Sequence, residues 1–177
     1  MNDGIAALIR TIPGYPKPGV QFRDITTLLL DPAGLAGSIE ALAASLADLR
    51  PDLIAGIEAR GFVFGTGVAQ ALNCGLLLIR KRNKLPGAVL GINYALEYGH
   101  DRIEMHADAC PPGARVVIVD DLIATGGTAL ATAQLLRQAG ATVAGAGFII
   151  DLPDLGGADR LRADGVQVET LVAFDGD

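Results

Sequence analysis

The stretch "VVIVDDLIATGGT", Val116 to Thr128, places an aliphatic run before two adjacent carboxylates and a loop of threonine and glycine. Directly behind it "GTALATAQLLRQAG", Gly127 to Gly140, carries an alanine-rich helical pattern closed by glycine. A short apolar run that turns into a helix predicts a buried strand followed by a helix, with Asp120 and Asp121 at the strand's carboxyl end. The same unit recurs on both sides. "DLIAGIE" (Asp52 to Glu58), "GLLLIRK" (Gly75 to Lys81) and "TVAGAGFIID" (Thr142 to Asp151) read as further buried strands, and "VQVETLVAF" (Val166 to Phe174) as a last one with alternation. Helical spacing runs through Leu35, Ile39, Leu42, Leu46 and Leu49 between Pro32 and Arg50, with Asp31 as N-cap. A second helix is predicted over Gly61 to Asn73, and "DRLRADG" as a brief helical turn. Apolar strands alternating with helices predict an α/β fold, a central parallel sheet flanked by helices, with ligands beyond the carboxyl ends of the strands.

The 177 residues suit a single domain, 1–177. An N-terminal arm of about residues 1–31 is rich in turn formers, and "PGYPKPG" (Pro13 to Gly19) is expected to lie across the domain as irregular chain. Residues 82–113 form a segment too long for a plain connection, with only short strand-like pieces such as "AVLGINYAL", and are expected to be a functional, mobile excursion. No apolar stretch is long enough to cross a bilayer, no secretory signal is expected, and Cys74 and Cys110 stand outside metal-ligand spacing. A cytoplasmic protein with unpaired thiols is expected. The net charge of −6 argues against nucleic acid as a partner, and no membrane partner is expected. "RKRNK", Arg80 to Lys84, is the local exception: either a solvated basic loop or a site for a small anion.

Ala124, Thr125, Gly126, Gly127 and Thr128 let several backbone N–H groups converge on an anion at a helix start, where the helix dipole helps. The stretch lacks the lysine of a P-loop and the spacing of a dinucleotide-binding turn. Carboxylates beside a phosphate cradle repel phosphate unless they serve another part of the same ligand, and a ribose diol meets that need, directly or through a magnesium hydration shell. A sugar phosphate fits the whole stretch, with its diol on Asp120 and Asp121 and its phosphate on residues 124–128.

This stretch resembles the phosphoribosyl pyrophosphate motif of the type I phosphoribosyltransferases. "PGYPKPGVQFRDIT", "ARGF", "RKRNKLPG" and "YALEYG" resemble, in the same order, the members of that family that act on adenine. The resemblance implies the family's fold, with a hood and a flexible loop, and transfer of the phosphoribosyl group of phosphoribosyl pyrophosphate to adenine, giving AMP and pyrophosphate. It implies Mg2+ carried by the substrate, held through water by Asp120 and Asp121 rather than by a direct protein site, and a homodimer.

The resemblance also implies residue roles. Glu58, Ala59 and Arg60, with a cis peptide joining Glu58 and Ala59, would cradle pyrophosphate together with Lys81, Lys84 and Tyr98, Arg80 and Arg82 being secondary. Many relatives have serine where this chain has Ala59, which leaves only backbone contacts there. Arg60 and Lys84 would act in catalysis, and Glu97, in the loop "NYALEYGHDRIEMH" that closes over the site, would be the general acid/base. Phe22 would stack on adenine, and the main chain of Gln21 and Arg23 would select it by hydrogen bonds. Taken without the resemblance, Phe22 is a core residue, Glu97 an exposed carboxylate and Arg60 the partner of a surface acid. A regulatory module that keeps the ribose-phosphate site without catalysis, and a transferase for another base, are the other function classes. The first normally carries a basic face or an added domain, and "FRDI" and "LEYG" argue against the second.

Overall fold

A computed structural model describes residues 2–95 and 99–176. In chain order the elements are α1 (Asn2–Ala7), β1 (Arg10–Pro13), β2 (Gln21–Asp24), α2 (Thr26–Leu30), α3 (Pro32–Leu46), β3 (Leu53–Ile57), α4 (Gly61–Ala71), β4 (Gly75–Lys81), β5 (Val89–Ala95), β6 (His100–His106), β7 (Arg115–Ile123), α5 (Gly127–Gln138), β8 (Thr142–Asp151), α6 (Gly157–Ala163) and β9 (Val168–Ala173). The large sheet has the order β5-β6-β4-β3-β7-β8-β9. From β4 to β9 neighbouring strands are parallel, as the aliphatic runs predict.

Both faces of the parallel part are covered, which explains why β3 and the Val116–Val119 run of β7 are apolar on every residue. On one face Ala55, Ile57, Val116, Ile118 and Phe148 pack with Leu135 and Leu136 of α5 and Leu161 of α6. On the other, Ile54, Val117, Val119 and Ile149 pack with Leu42 and Leu46 of α3 and Phe64 and Val68 of α4. Leu42, Leu46, Phe64, Leu135 and Leu136 are fully buried, each stabilising by about 1.5–3 kcal/mol on transfer from water. Asp31 caps α3 as predicted, its Oδ1 accepting from the Gly34 N–H at 2.7 Å, a bond worth about 1 kcal/mol.

Three expectations are corrected. The N-terminal arm is not irregular throughout: β1 and β2 form an antiparallel hairpin, Arg10 opposite Asp24 and Pro13 opposite Gln21, and the Pro/Gly-rich residues are its connecting loop. Each strand spans only four residues, too few for alternation to stand out beside so many turn formers. Strand β4 is not fully buried, because Leu76 and Leu78 are 36% and 38% exposed while Leu77 and Ile79 face the core. The excursion 82–113 is also more ordered than expected. It folds back as the antiparallel hairpin β5–β6, Val89 opposite His106 and Ala95 opposite His100, and β6 then pairs antiparallel with the end of β4.

Candidate active site

The carboxyl ends of β3, β4 and β7 deliver the predicted residues to one edge of the sheet. Beyond β3 the Glu58–Ala59 peptide is cis, as the resemblance implies. Helix α4 then starts hard against β7: a Cβ on Gly61 would lie 2.7 Å from Asp120 Oδ1 and 2.9 Å from the Val119 carbonyl oxygen. Only glycine permits that approach. It brings Arg60 Nε to 2.5 Å from Asp121 Oδ2, an ion pair between a half-exposed guanidinium and a carboxylate only 5% exposed. The Arg60 guanidinium also lies over the Phe22 ring, 5.7 Å from its centroid. Arg60 therefore joins β7 to the hairpin strand β2. Ala59 and Arg60 are exposed residues whose N–H groups, among the described residues, donate to no backbone carbonyl.

Asp120 accepts from the Asp121 N–H through Oδ1 at 2.9 Å. Burial and the neighbouring Asp121 charge push its carboxyl well above the ordinary carboxylate range. The pair thus presents charge that a ligand's hydroxyls or a hydrated cation would relieve. After β7, Gly126 takes a φ of +80° and sets the start of α5, and a Cβ on it would lie 2.9 Å from the Gly157 carbonyl oxygen. Gly157 in turn donates its N–H to the Ala124 carbonyl at 3.0 Å. The Thr125 and Gly126 N–H groups donate to no backbone carbonyl among the described residues, and those of Gly127 and Thr128 belong to the first helical turn, which lacks intrahelical partners. They face a cavity of about 140 Å³ lined by residues 122–129, Asp120 and Phe148.

A second cavity of about 310 Å³ shares Leu122, Ala124 and Thr125 with the first. Val20, Gln21, Phe22 and Arg23 form one wall, and Leu152 and Leu155 the opposite one. Phe22 is half-buried there, with Tyr15 edge-on at 5.2 Å between centroids. It lines a ligand-sized space and is not sealed in the core. A larger cavity of about 460 Å³ lies between α1 and α3, away from the strand ends, with walls mainly of glycine, alanine and aliphatic side chains.

The basic stretch is organised less simply than predicted. Glu58 Oε2 accepts from Arg80 Nε and from the Lys81 backbone N–H, each at 2.7 Å, so its carboxylate fastens the end of β4. Lys81 is ion-paired with Asp101 and donates to the Tyr94 hydroxyl at 2.7 Å, and that hydroxyl is 3.1 Å from Thr128 Oγ1. Burial pulls the Lys81 ammonium down, but the bonds to Asp101 and Tyr94 outweigh it and the net shift is upward. Lys84 is exposed at the tip of the turn, and its ammonium forms no salt bridge with a described residue. Glu97 and Tyr98 lie outside the described residues. Sequence reasoning did not single out Tyr94, Asp101, Leu152, Leu155 or Gly157. The paired glycines Gly156–Gly157 were a signal for the last, whereas the others carry none outside their tertiary setting.

Residues 25–171 match the family model of the phosphoribosyl transferase domain. The chain belongs to the phosphoribosyltransferase family. A relative from Sphingopyxis alaskensis named adenine phosphoribosyltransferase is 58% identical over 98% of this chain and 94% of its own length. The crystal structure of adenine phosphoribosyltransferase from Rhodothermus marinus superposes with a TM-score of 0.92 at 46% identity, covering 98% of each chain. That of the Saccharomyces cerevisiae adenine phosphoribosyltransferase, complexed with D-2,5-dideoxy-2,5-imino-altritol 1,6-bisphosphate and adenine, superposes with a TM-score of 0.91 at 34% identity over 97% of this chain and 98% of that one.

Proposed function

We infer that the chain transfers the phosphoribosyl group of phosphoribosyl pyrophosphate to adenine, releasing pyrophosphate and forming AMP in purine salvage. The observation that carries this reading is the continuity of two cavities. A small one is ringed by free N–H groups and a carboxylate, and a larger one is walled by Phe22, Leu152 and Leu155, with Leu122, Ala124 and Thr125 common to both.

In this assignment the 5-phosphate sits on the N–H groups of residues 124–128 and the ribose diol on Asp120 and Asp121. Displacement at the anomeric carbon breaks the bond to pyrophosphate as a ring nitrogen of adenine attacks, and positive charge grows on the ribose. Carboxylates facing the sugar stabilise that charge, and cations stabilise the departing pyrophosphate. Arg60, the Ala59 and Arg60 N–H groups, Lys84 and a released Lys81 supply the second role. Glu97 manages the proton of the adenine nitrogen and Tyr98 seals the lid. Phe22 stacks on the base, and the main chain of Gln21 and Arg23 reads its edge.

Among the described residues no cluster of three or more His, Cys, Asp or Glu side chains could hold a metal on its own. The adjacent carboxylates Asp120 and Asp121, with Asp120 raised by burial and by its neighbour's charge, fit a magnesium ion that the substrate brings, which they would hold through water. Bound there, it would neutralise charge on pyrophosphate. Exposed Leu76, Leu78 and Val63 support a homodimer, and the free thiols a reducing, cytoplasmic setting.

The test is conversion of adenine, hypoxanthine, guanine, xanthine and orotate, each offered with phosphoribosyl pyrophosphate and magnesium. AMP from adenine alone is expected. Turnover of another base would overturn the base assignment, and binding without turnover would move the chain to the regulatory class.

A further inference from the structure

The hairpin β1–β2 is a separate two-stranded sheet. The width of the larger cavity, between Phe22 on that hairpin and Leu152 and Leu155 beside β8, therefore depends on what ties the two bodies together. We propose that the segment Phe174–Gly176 is that tie, and that the Arg23 side chain is a positioning residue that sets the base pocket from behind. This rests on the larger cavity being the adenine site.

The contacts converge from both walls. Arg23 Nη2 donates to the Asp175 carbonyl oxygen at 2.8 Å, and its guanidinium carbon is 4.6 Å from the Phe174 ring centroid. Arg23 Nη1 donates to Thr11 Oγ1 at 2.6 Å, so the one side chain grips both hairpin strands and the segment after β9. From the other wall, the Gly176 N–H donates to Asp154 Oδ2 at 2.8 Å. Asp154 lies in the short turn Pro153–Leu155 that carries Leu155. The Phe174 N–H donates to the Asp151 carbonyl at 3.1 Å, which anchors the segment to the end of β8. Three consecutive residues thus bond to the strand that bears Phe22 and to the turn that faces it. The reach of the Arg23 side chain to Thr11 on one side and Asp175 on the other is accounted for by this grip.

Arg23→Gln, Asp154→Ala and their combination in the full chain provide the test, read as KM for adenine and for phosphoribosyl pyrophosphate together with the melting temperature. Each single substitution is expected to raise the adenine KM by about three- to tenfold, with the KM for phosphoribosyl pyrophosphate little changed. Arg23→Lys should recover part of the loss, since it keeps a cation over Phe174. The double variant should do no worse than the stronger single one, because both act through one segment. An active wild type with unchanged adenine KM in both variants overturns the proposal, as do equal rises for the two substrates or a multiplicative double effect. Asp154 is exposed, so its variant reports even where Arg23 variants fold poorly. A wild type that does not convert adenine overturns the functional assignment instead.

Discussion

Arg60 Nε lies 2.5 Å from Asp121 Oδ2, and this pair joins the start of α4 to the end of β7 across the mouth of the site. The guanidinium is 48% exposed and the carboxylate 5%, so one partner can turn toward an incoming anion while the other stays fixed. Among the described residues Asp121 Oδ2 has this ion pair and no hydrogen bond.

Arg60→Ala should therefore have two separable effects. Leaving Asp121 buried without its cation should lower stability by about 1–3 kcal/mol, less than for a fully buried pair because Arg60 reaches solvent. Loss of the cation assigned above to pyrophosphate should lower kcat/KM for phosphoribosyl pyrophosphate by about 10²-fold. Adding Asp121→Asn should restore stability and leave activity low. Denaturant melts beside steady-state kinetics check this, and an additive stability loss would contradict the pairing.

Asp120 holds its proton more tightly in the folded chain than in the unfolded one. For an acid with a raised folded value, stability falls as pH climbs from the ordinary aspartate range toward the raised one, so charged Asp120 costs stability at neutral pH. Asp120→Asn should raise the ligand-free melting temperature near neutral pH by a few degrees, change it little near about pH 4, and lose most turnover. Thermal melts across that range decide it.

The hydroxyl of Tyr94 stands between Lys81 Nζ and Thr128 Oγ1, at 2.7 and 3.1 Å. It accepts from the lysine, and its own hydrogen has two acceptors in reach, Asp101 Oδ2 at 3.2 Å and Thr128 Oγ1; given to the threonine, it turns the threonine's hydrogen toward the smaller cavity. Tyr94→Phe should weaken binding of ribose 5-phosphate by about three- to tenfold, the range of one hydrogen bond, and leave binding of adenine unchanged. Calorimetric titration of each ligand separates the two.

Asp24 binds the hairpin to α2. Its Oδ1 accepts from the Thr26 hydroxyl at 2.6 Å and the Thr26 N–H at 2.9 Å, and its Oδ2 accepts from Arg10. The Thr26 hydroxyl, then Arg10, then the Thr26 N–H lower its carboxyl from 3.8 to about 2. A depressed acid contributes stability that is present above its unfolded value and lost as pH falls through the folded one. The wild type should therefore lose stability between about pH 4 and pH 2, and Asp24→Asn should flatten that limb while lowering stability at neutral pH. Urea midpoints against pH measure both.

Much of this site is legible in short windows. The turn 124–128, the Asp120–Asp121 pair and the basic run at 80–84 are each contiguous in sequence, and the chemistry proposed for them follows from residue type and from their place at or after a strand end. Leu152, Leu155, Asp101 and the Arg23 side chain are not legible in that way. Nothing in "DLPDL" or "HDR" distinguishes a cavity wall or a lysine's partner from ordinary surface until β8 lies beside the hairpin and β6 beside β4. Lys81 shows the limit most sharply, because its charge is evident from sequence while its engagement with Asp101 and Tyr94 arises only from the antiparallel pairing of β6 with both β4 and β5.

By itself the sequence determined the α/β order, the strands that run parallel, the N-cap of α3 and the glycine-bearing turn that starts α5, because hydrophobic period, capping and helix-start geometry act over a few neighbouring residues. Tertiary structure alone decided how far apart the two walls of the larger cavity stand, which carboxylate Arg60 neutralises, and that Leu76 and Leu78 remain on an open face. Those outcomes depend on how elements distant in the chain pack against one another, and that packing energy is summed over contacts that no local pattern encodes.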